Sequence, residues 1–401
     1  LSFRKPVLCI ALVIGLGVVT GCAVPARGPA VPSADTTRAL PLGIANARFF
    51  ADDDTGPMVE EATLALQREQ AALRAAGKSP DRMPPAFFLA ISGGSDNGAF
   101  GAGIINGWTT TGTRPEFAMV TGVSTGALIA PFAFLGPDYD LALREVYTTM
   151  TPDRVFLRRG LIAALFSDAV ADASPLAETI ARYADQKMLD AIAREYRKGR
   201  LLMIGTTDLD AQRPVIWNMG AIAASGHPRS VDLFRKILLA SASIPGIFQP
   251  VLLDVEIDGA RFQEMHVDGG AIAQLFLYPA SIDPSVIRVD RPQAAYIVLN
   301  ARLDPEHAEI ERRTLTIASR AIATMLTASG QNDVVRTYFI TKRDDVDYNL
   351  AYVGRDFKTP RTGMFDQAYM RALFDYGYRE AVEGRAWHKT PPGLHSTRAR
   401  R

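Results

Sequence analysis

The chain has 401 residues, 48% apolar and 22% charged, with 44 Lys+Arg against 43 Asp+Glu and a formal charge of +1. That composition supports a large core and lacks the basic excess of a protein that wraps nucleic acid. Its two cysteines, Cys9 and Cys22, are both N-terminal, so the body has neither a disulfide nor a thiol nucleophile. The five histidines (His227, His266, His307, His388, His395) show no HxxxH or HxH spacing, which argues against a metal site.

Arg4 and Lys5 precede an apolar run from Val7 to Val19, of signal-peptide length and shorter than a membrane span. Val19-Thr20-Gly21-Cys22 follows and resembles a bacterial lipobox. It implies a signal peptide over 1–22, lipidation of Cys22 and a mature chain held at a membrane. Ala23 after the cysteine points to the periplasmic face of the outer membrane. Each buried methylene of an acyl anchor contributes about 0.8 kcal/mol. Residues 23–45, rich in Pro, Ala and small polar residues, read as a flexible tether.

An N-terminal helical extension is expected over 46–85, its helix running from Pro57 to Ala76 with Gly77 as the stop. Ala86–Ser92 is a buried strand that feeds the glycine loop Gly93–Gly103 and a helix to about Trp108. A second buried strand, Phe117–Thr121, leads to a helix over Ser124–Phe134. Two strand–turn–helix units in succession predict an α/β fold with a mostly parallel sheet covered by helices. Residues 138–198 read as mostly helical, with Pro152 and Pro175 as punctuation. Within them Leu161–Phe166, flanked by Arg158 and Arg159, is either a core helix face or an interfacial lid. Strands follow at Leu201–Thr207 and Pro214–Asn218, a helix at Val231–Ala242, and a hairpin of Val251–Ile257 with Phe262–Val267 around Asp258-Gly259. The C-terminal part predicts a strand at Ala295–Leu299, a helix near 309–328, strands near 334–341 and 348–353, and a helix near 366–383. Residues 86–385 thus form the main domain and 386–401 a disordered tail ending in a basic Arg398–Arg401.

The join of the second strand and its helix reads Gly122-Val123-Ser124-Thr125-Gly126. A serine on a tight strand-to-helix turn presents its hydroxyl above the sheet, and the flanking glycines keep side chains out of the way. A serine is a weak nucleophile and needs a base and oxyanion donors. The glycine loop Gly93-Gly94-Ser95 offers the donors as backbone amides ahead of a helix. It lacks GxxxxGK[ST] and dinucleotide spacing, which argues against a phosphate loop. Two base carriers compete in "MHVDGGA": His266, and Asp268 ahead of Gly269-Gly270. Strand alternation places both on one face, so spacing does not separate them.

In chain order, Gly93-Gly94…Gly98-Ala99-Phe100, Gly122-x-Ser124-x-Gly126, Ala240–Val251 ("ASASIPGIFQPV") and Asp268-Gly269-Gly270 resemble the patatin-like phospholipases over about 86–300. The resemblance implies a three-layer α/β fold and hydrolysis of lipid acyl esters without a metal or cofactor. It makes Ser124 the nucleophile, Asp268 the base, and Gly93, Gly94 and Ser95 the oxyanion loop. Gly122 and Gly126 flank the elbow, and the substrate is a lipid or phospholipid. The loop departs from the family's Gly-Gly-Gly-x-Arg-Gly: Ser95 stands at the third glycine and Asn97 at the arginine. The histidine of Ser–Asp–His hydrolases follows the acid, whereas His266 precedes Asp268, which favours the aspartate. Two alternatives stand beside this reading. One is a non-catalytic, membrane-tethered lipoprotein that keeps the fold; the other is a small-ester hydrolase using Ser124, His266 and Asp208. The sequence names no protein partner.

Overall fold

The structure, a computed structural model, describes residues 26–158, 171–282 and 289–394. The lipobox, the Leu161–Phe166 segment and the basic C-terminus lie outside the described residues. The strands are β1 (Arg48–Phe50), β2 (Ala86–Ile91), β3 (Met119–Val123), β4 (Leu157–Arg158), β5 (Ala171–Asp172), β6 (Leu201–Asp208), β7 (Arg213–Asn218), β8 (Val251–Ile257), β9 (Ala260–Asp268), β10 (Gln293–Leu299) and β11 (Asp347–Tyr352). Nine form one sheet, with the order β1-β7-β6-β3-β2-β10-β11 and β9 joining β6 to β8; β4 and β5 pair apart from it. The run β6-β3-β2-β10-β11 is parallel, and the β1, β7, β8 and β9 pairings are antiparallel. β2 and β3 read as nearly continuous apolar runs because helices cover the parallel region on both faces. The helices Gly98–Thr110, Thr125–Leu135 and Gln367–Val382 pack on one face through Phe100, Ile104, Ile129 and Phe374. Gly56–Ala75 and Thr314–Arg343 cover the other through Met58, Ala65 and Val334. The result is the expected three-layer α/β architecture.

The edge of β6 fixes where chemistry can occur. β7 occupies one edge of β6 from Met203 to Asp208. On the opposite edge β3 pairs as far as Val123↔Gly205. The next residue of β6, Thr206, pairs with Asp268 of β9. One strand leaves and another arrives at the carboxyl ends of the parallel strands, the kind of switch point where α/β sheets open a crevice. Ser124 and Asp268 are the residues at that handover.

Five expectations change. The strand predicted near 334–341 does not form: those residues continue a single helix, Thr314–Arg343. The β-branched run in "VVRTYFI" suggested a strand, but the buried positions there, Val334, Thr337, Ile340 and Thr341, recur with helical spacing. The stretch 138–198 contains the β4–β5 pair as well as the helices Asp140–Thr149, Ser174–Tyr183 and Gln186–Arg197. The described part of the expected tether, 26–45, lies packed on the β8–β9 hairpin. Both Arg27 Nη atoms donate to the Asp210 carboxylate at 2.7 Å, and Leu40 and Glu256 exchange backbone hydrogen bonds of 2.9 and 3.1 Å. Val31 and Ala39 pack with Val255, Ile257 and Phe262, so the segment covers an otherwise open sheet edge. The extension 46–85 likewise contributes β1 to the sheet. In the expected tail, Trp387 packs on Trp108 and Tyr296 with ring centroids 4.7 and 4.9 Å apart, and His388 pairs with Leu350 of β11.

Candidate active site

Ser124 follows the last residue of β3 and caps the helix Thr125–Leu135. Its φ of 57° lies in the left-handed region, which strains a residue with a side chain by about 1–3 kcal/mol. The flanking glycines explain how the turn closes. A Cβ on Gly126 would stand 2.2 Å from the Ile91 carbonyl oxygen, and one on Gly122 would stand 2.4 Å from the Gly126 carbonyl oxygen. The turn is held from outside the motif as well. The Ser124 amide donates to Ser241 Oγ at 3.0 Å, and Ser241 Oγ donates to the Gly205 carbonyl at 2.7 Å.

Asp268 ends β9 and is 4% exposed. Its Oδ1 accepts from the Gly270 amide at 2.7 Å, which ties the carboxylate to the Asp-Gly-Gly turn. Burial pushes its pKa up to about 7, against the opposing hydrogen-bond interactions of the Ser124 hydroxyl and the Gly270 amide. A carboxylate poised near neutrality beside a serine hydroxyl is chemically suited to take its proton.

The glycine loop lies beside the serine. A Cβ on Gly93 would come within 3.2 Å of Ser124 Cβ and 2.6 Å of Gln274 Oε1. The three loop residues do not play one part. The Gly93 amide donates to the Gln274 carbonyl at 2.9 Å, so it is engaged in holding the loop. Among the described residues, the Gly94 and Ser95 amides have no protein acceptor, and both residues have positive φ, 153° and 55°. The amide of Thr125, the residue after the serine, is free in the same sense. Free amides at two helix starts make a preorganised place for negative charge.

The contacts of His266 are with Thr206, Glu264 and Trp217 rather than with the serine or the loop. Trp217 Nε1 donates to Thr206 Oγ1 at 2.8 Å, and Thr206 Oγ1 is hydrogen-bonded to His266 Nδ1 at 3.0 Å. His266 Nε2 is hydrogen-bonded to the Glu264 carboxylate at 3.2 Å. Glu264 also accepts both Arg48 Nη atoms, one at 2.9 Å. Burial alone would raise the Glu264 pKa, but His266 and Arg48 pull it down to about 2. Asp208, Glu264 and His266 lie within 4.8 Å of one another, a grouping that chain spacing did not reveal. The His266 and Glu264 atoms are already spent in this buried network, and Asp208 Oδ1 accepts the Asp210 and Ala211 amides of the turn.

Ser124 opens into a small cavity of about 50 Å³, lined mainly by apolar side chains that include Leu128, Met150, Leu176, Phe248, Phe365 and Met370. A larger apolar cavity of about 180 Å³ touches Met119 and Leu201, the first residues of β3 and β6, and so lies at the opposite end of the sheet. Sequence reasoning missed Ser241, Gln274 and Asn300. Gln274 Nε2 donates to the Gly270 carbonyl at 3.1 Å, and its backbone carbonyl holds Gly93. Asn300 Nδ2 donates to the Ser92 carbonyl at 2.9 Å, and its Oδ1 accepts from Gly101. Only Ser241 lay within a motif, the "ASAS" segment.

Residues 89–280 match the family model described as patatin-like phospholipase. No curated protein matches the chain. Among solved structures, VipD from Legionella pneumophila is similar at 10% identity and a TM-score of 0.39, over 76% of this chain and 67% of that one. The type III effector protein ExoU is similar at 12% identity and a TM-score of 0.31, over 76% of this chain and 53% of that one. The human GIVD cytosolic phospholipase A2 is similar at 10% identity and a TM-score of 0.27, over 69% of this chain and 51% of that one. Over residues 89–280 the chain is similar to the patatin-like phospholipases, a resemblance that supports lipid acyl hydrolysis at the level of that family.

Proposed function

We propose that the protein is a serine acyl hydrolase that cleaves lipid acyl esters with a Ser124–Asp268 dyad. The observation that carries the reading is the handover on β6: a serine on a left-handed elbow meets a buried carboxyl group whose pKa is raised to about 7. Asp268 takes the Ser124 proton as Oγ bonds to the ester carbonyl carbon. The amides of Gly94 and Ser95, with that of Thr125, receive the charge on the carbonyl oxygen; Gly93 contributes by its lack of a side chain. The tetrahedral intermediate collapses, and the leaving alcohol departs with the proton held by Asp268. Water then gives a proton to Asp268 and attacks the acyl-serine. The acid leaves, and the proton returns to Ser124.

Two things favour this over a Ser124–His266–Asp208 esterase: both His266 nitrogens are committed to Thr206 and Glu264, and the serine faces Asp268. Free amides beside a strained serine favour it over a non-catalytic scaffold, which needs neither. Fluorophosphonate labelling with peptide mapping, together with hydrolysis of mixed phospholipids, tests the reading. A covalent adduct on Ser124, and loss of both adduct and hydrolysis in Ser124→Ala, is expected. Wild-type hydrolysis surviving in Ser124→Ala overturns it.

We also propose lipidation at Cys22 and attachment to the periplasmic face of the outer membrane, supported by the lipobox sequence. Among the described residues no helix is long and apolar enough to cross a membrane. Metabolic incorporation of labelled fatty acid, lost in Cys22→Ala, checks the anchor; equal incorporation in the variant refutes it.

A further inference from the structure

The glycine loop has no arginine of its own at position 97, yet a guanidinium reaches it from far along the chain. Asp96, fully buried within the loop, has Oδ1 3.0 Å from Arg361 Nη2, while its Oδ2 accepts the Phe365 amide at 2.9 Å. Tyr369 OH donates to Asn97 Oδ1 at 2.8 Å, a third tie between the loop and the same C-terminal region. Phe365 is held with φ of 55°, an outlying conformation for a bulky residue. Nothing in its own chemistry favours that backbone, so its fixing falls to the surroundings, and Asp96 is the group that grips it. The Phe365 ring packs at 6.2 Å from Phe156 and forms part of the cavity in front of Ser124. A loop whose neighbouring amides are free for an oxyanion is therefore latched to a wall of the cavity that would take the acyl chain.

We propose that Phe365 is a specificity-determining residue that limits acyl-chain length, and that Asp96, paired with Arg361, is the positioning residue that holds it. The inference rests on the acyl-hydrolase reading of Ser124. The small cavity suits a short acyl group while the ring is in place, and removing the ring lengthens it. An added methylene in an apolar site is worth about tenfold or more in kcat/KM.

The test compares p-nitrophenyl butyrate with p-nitrophenyl laurate for wild type, Phe365→Gly, Phe365→Trp and Asp96→Asn. Glycine accepts the left-handed backbone, so Phe365→Gly removes the ring without adding strain there. The laurate-to-butyrate ratio of kcat/KM is expected to rise about tenfold or more in Phe365→Gly. It should fall in Phe365→Trp and rise by a smaller factor in Asp96→Asn, where the grip is weakened. A ratio within about twofold of wild type in Phe365→Gly, with Ser124 still labelled by fluorophosphonate, overturns the length limit and leaves the hydrolase reading standing. An unchanged ratio in Asp96→Asn beside a shifted one in Phe365→Gly overturns the positioning role. A wild type that is neither labelled nor active overturns the hydrolase reading and this inference with it.

Discussion

Replacing Asp268 by asparagine should remove activity and, above neutral pH, stabilise the fold. Burial raises the Asp268 pKa from 3.8 to about 7. A carboxyl group whose folded pKa exceeds its unfolded value binds its proton more tightly in the native state. Stability therefore has its full value below pH 3.8, falls as pH rises through the window between 3.8 and about 7, and is flat above it. At about 1.4 kcal/mol for each pH unit of that window, ionising Asp268 costs the folded state on the order of 4 kcal/mol. Asparagine keeps the shape and cannot ionise, so Asp268→Asn loses this slope. Urea titrations of both proteins from pH 4 to pH 8 read it out. The difference in unfolding free energy should be near zero at pH 4 and grow in favour of the variant toward pH 8. In wild type, kcat/KM for an ester should rise with pH through about 7, because the base must be ionised. A stability difference that stays constant from pH 4 to pH 8 refutes the reasoning, since Asp268 would then not be a buried carboxyl group titrating there.

Gly93→Ala should lower kcat by about 10²–10³, comparable to losing an oxyanion donor, because its Cβ would press on Ser124 Cβ and Gln274 Oε1; steady-state kinetics beside a thermal melt separates this from unfolding. Gly126→Ala should destabilise by about 1–3 kcal/mol, since its Cβ would meet the Ile91 carbonyl oxygen at 2.2 Å and backbone must shift; chemical denaturation measures it. His266→Ala should cost about 1.5–3 kcal/mol by removing its buried hydrogen bonds to Glu264 and Thr206, while the folded fraction keeps its esterase activity. Loss of fluorophosphonate labelling in correctly folded His266→Ala would count against an aspartate base.

Local order was legible in the chain. Apolar runs that end in glycine predict the β2 and β3 strand–turn–helix units, because a strand buried on both faces and a turn without room for side chains leave that mark on any sequence. Ser124 between Gly122 and Gly126 needed no coordinates to be singled out. Relations between distant segments were not legible. Alternation along β9 puts His266 and Asp268 on one face, and only the pairing of β6 with β3 and then with β9 sets Asp268 beside the serine and leaves His266 with Thr206, Trp217 and Glu264. The run after Val334 suggested a strand because branched residues favour one, and packing with helical spacing overrode that preference. Gln274, Asn300 and Arg361 carry no motif of their own; each matters because folding closes a long stretch of chain and sets one hydrogen-bonding group against the elbow or the loop. Backbone sterics act between neighbours and are written in the sequence, whereas the environment that raises a carboxyl pKa is assembled from many segments and exists only once the chain has folded.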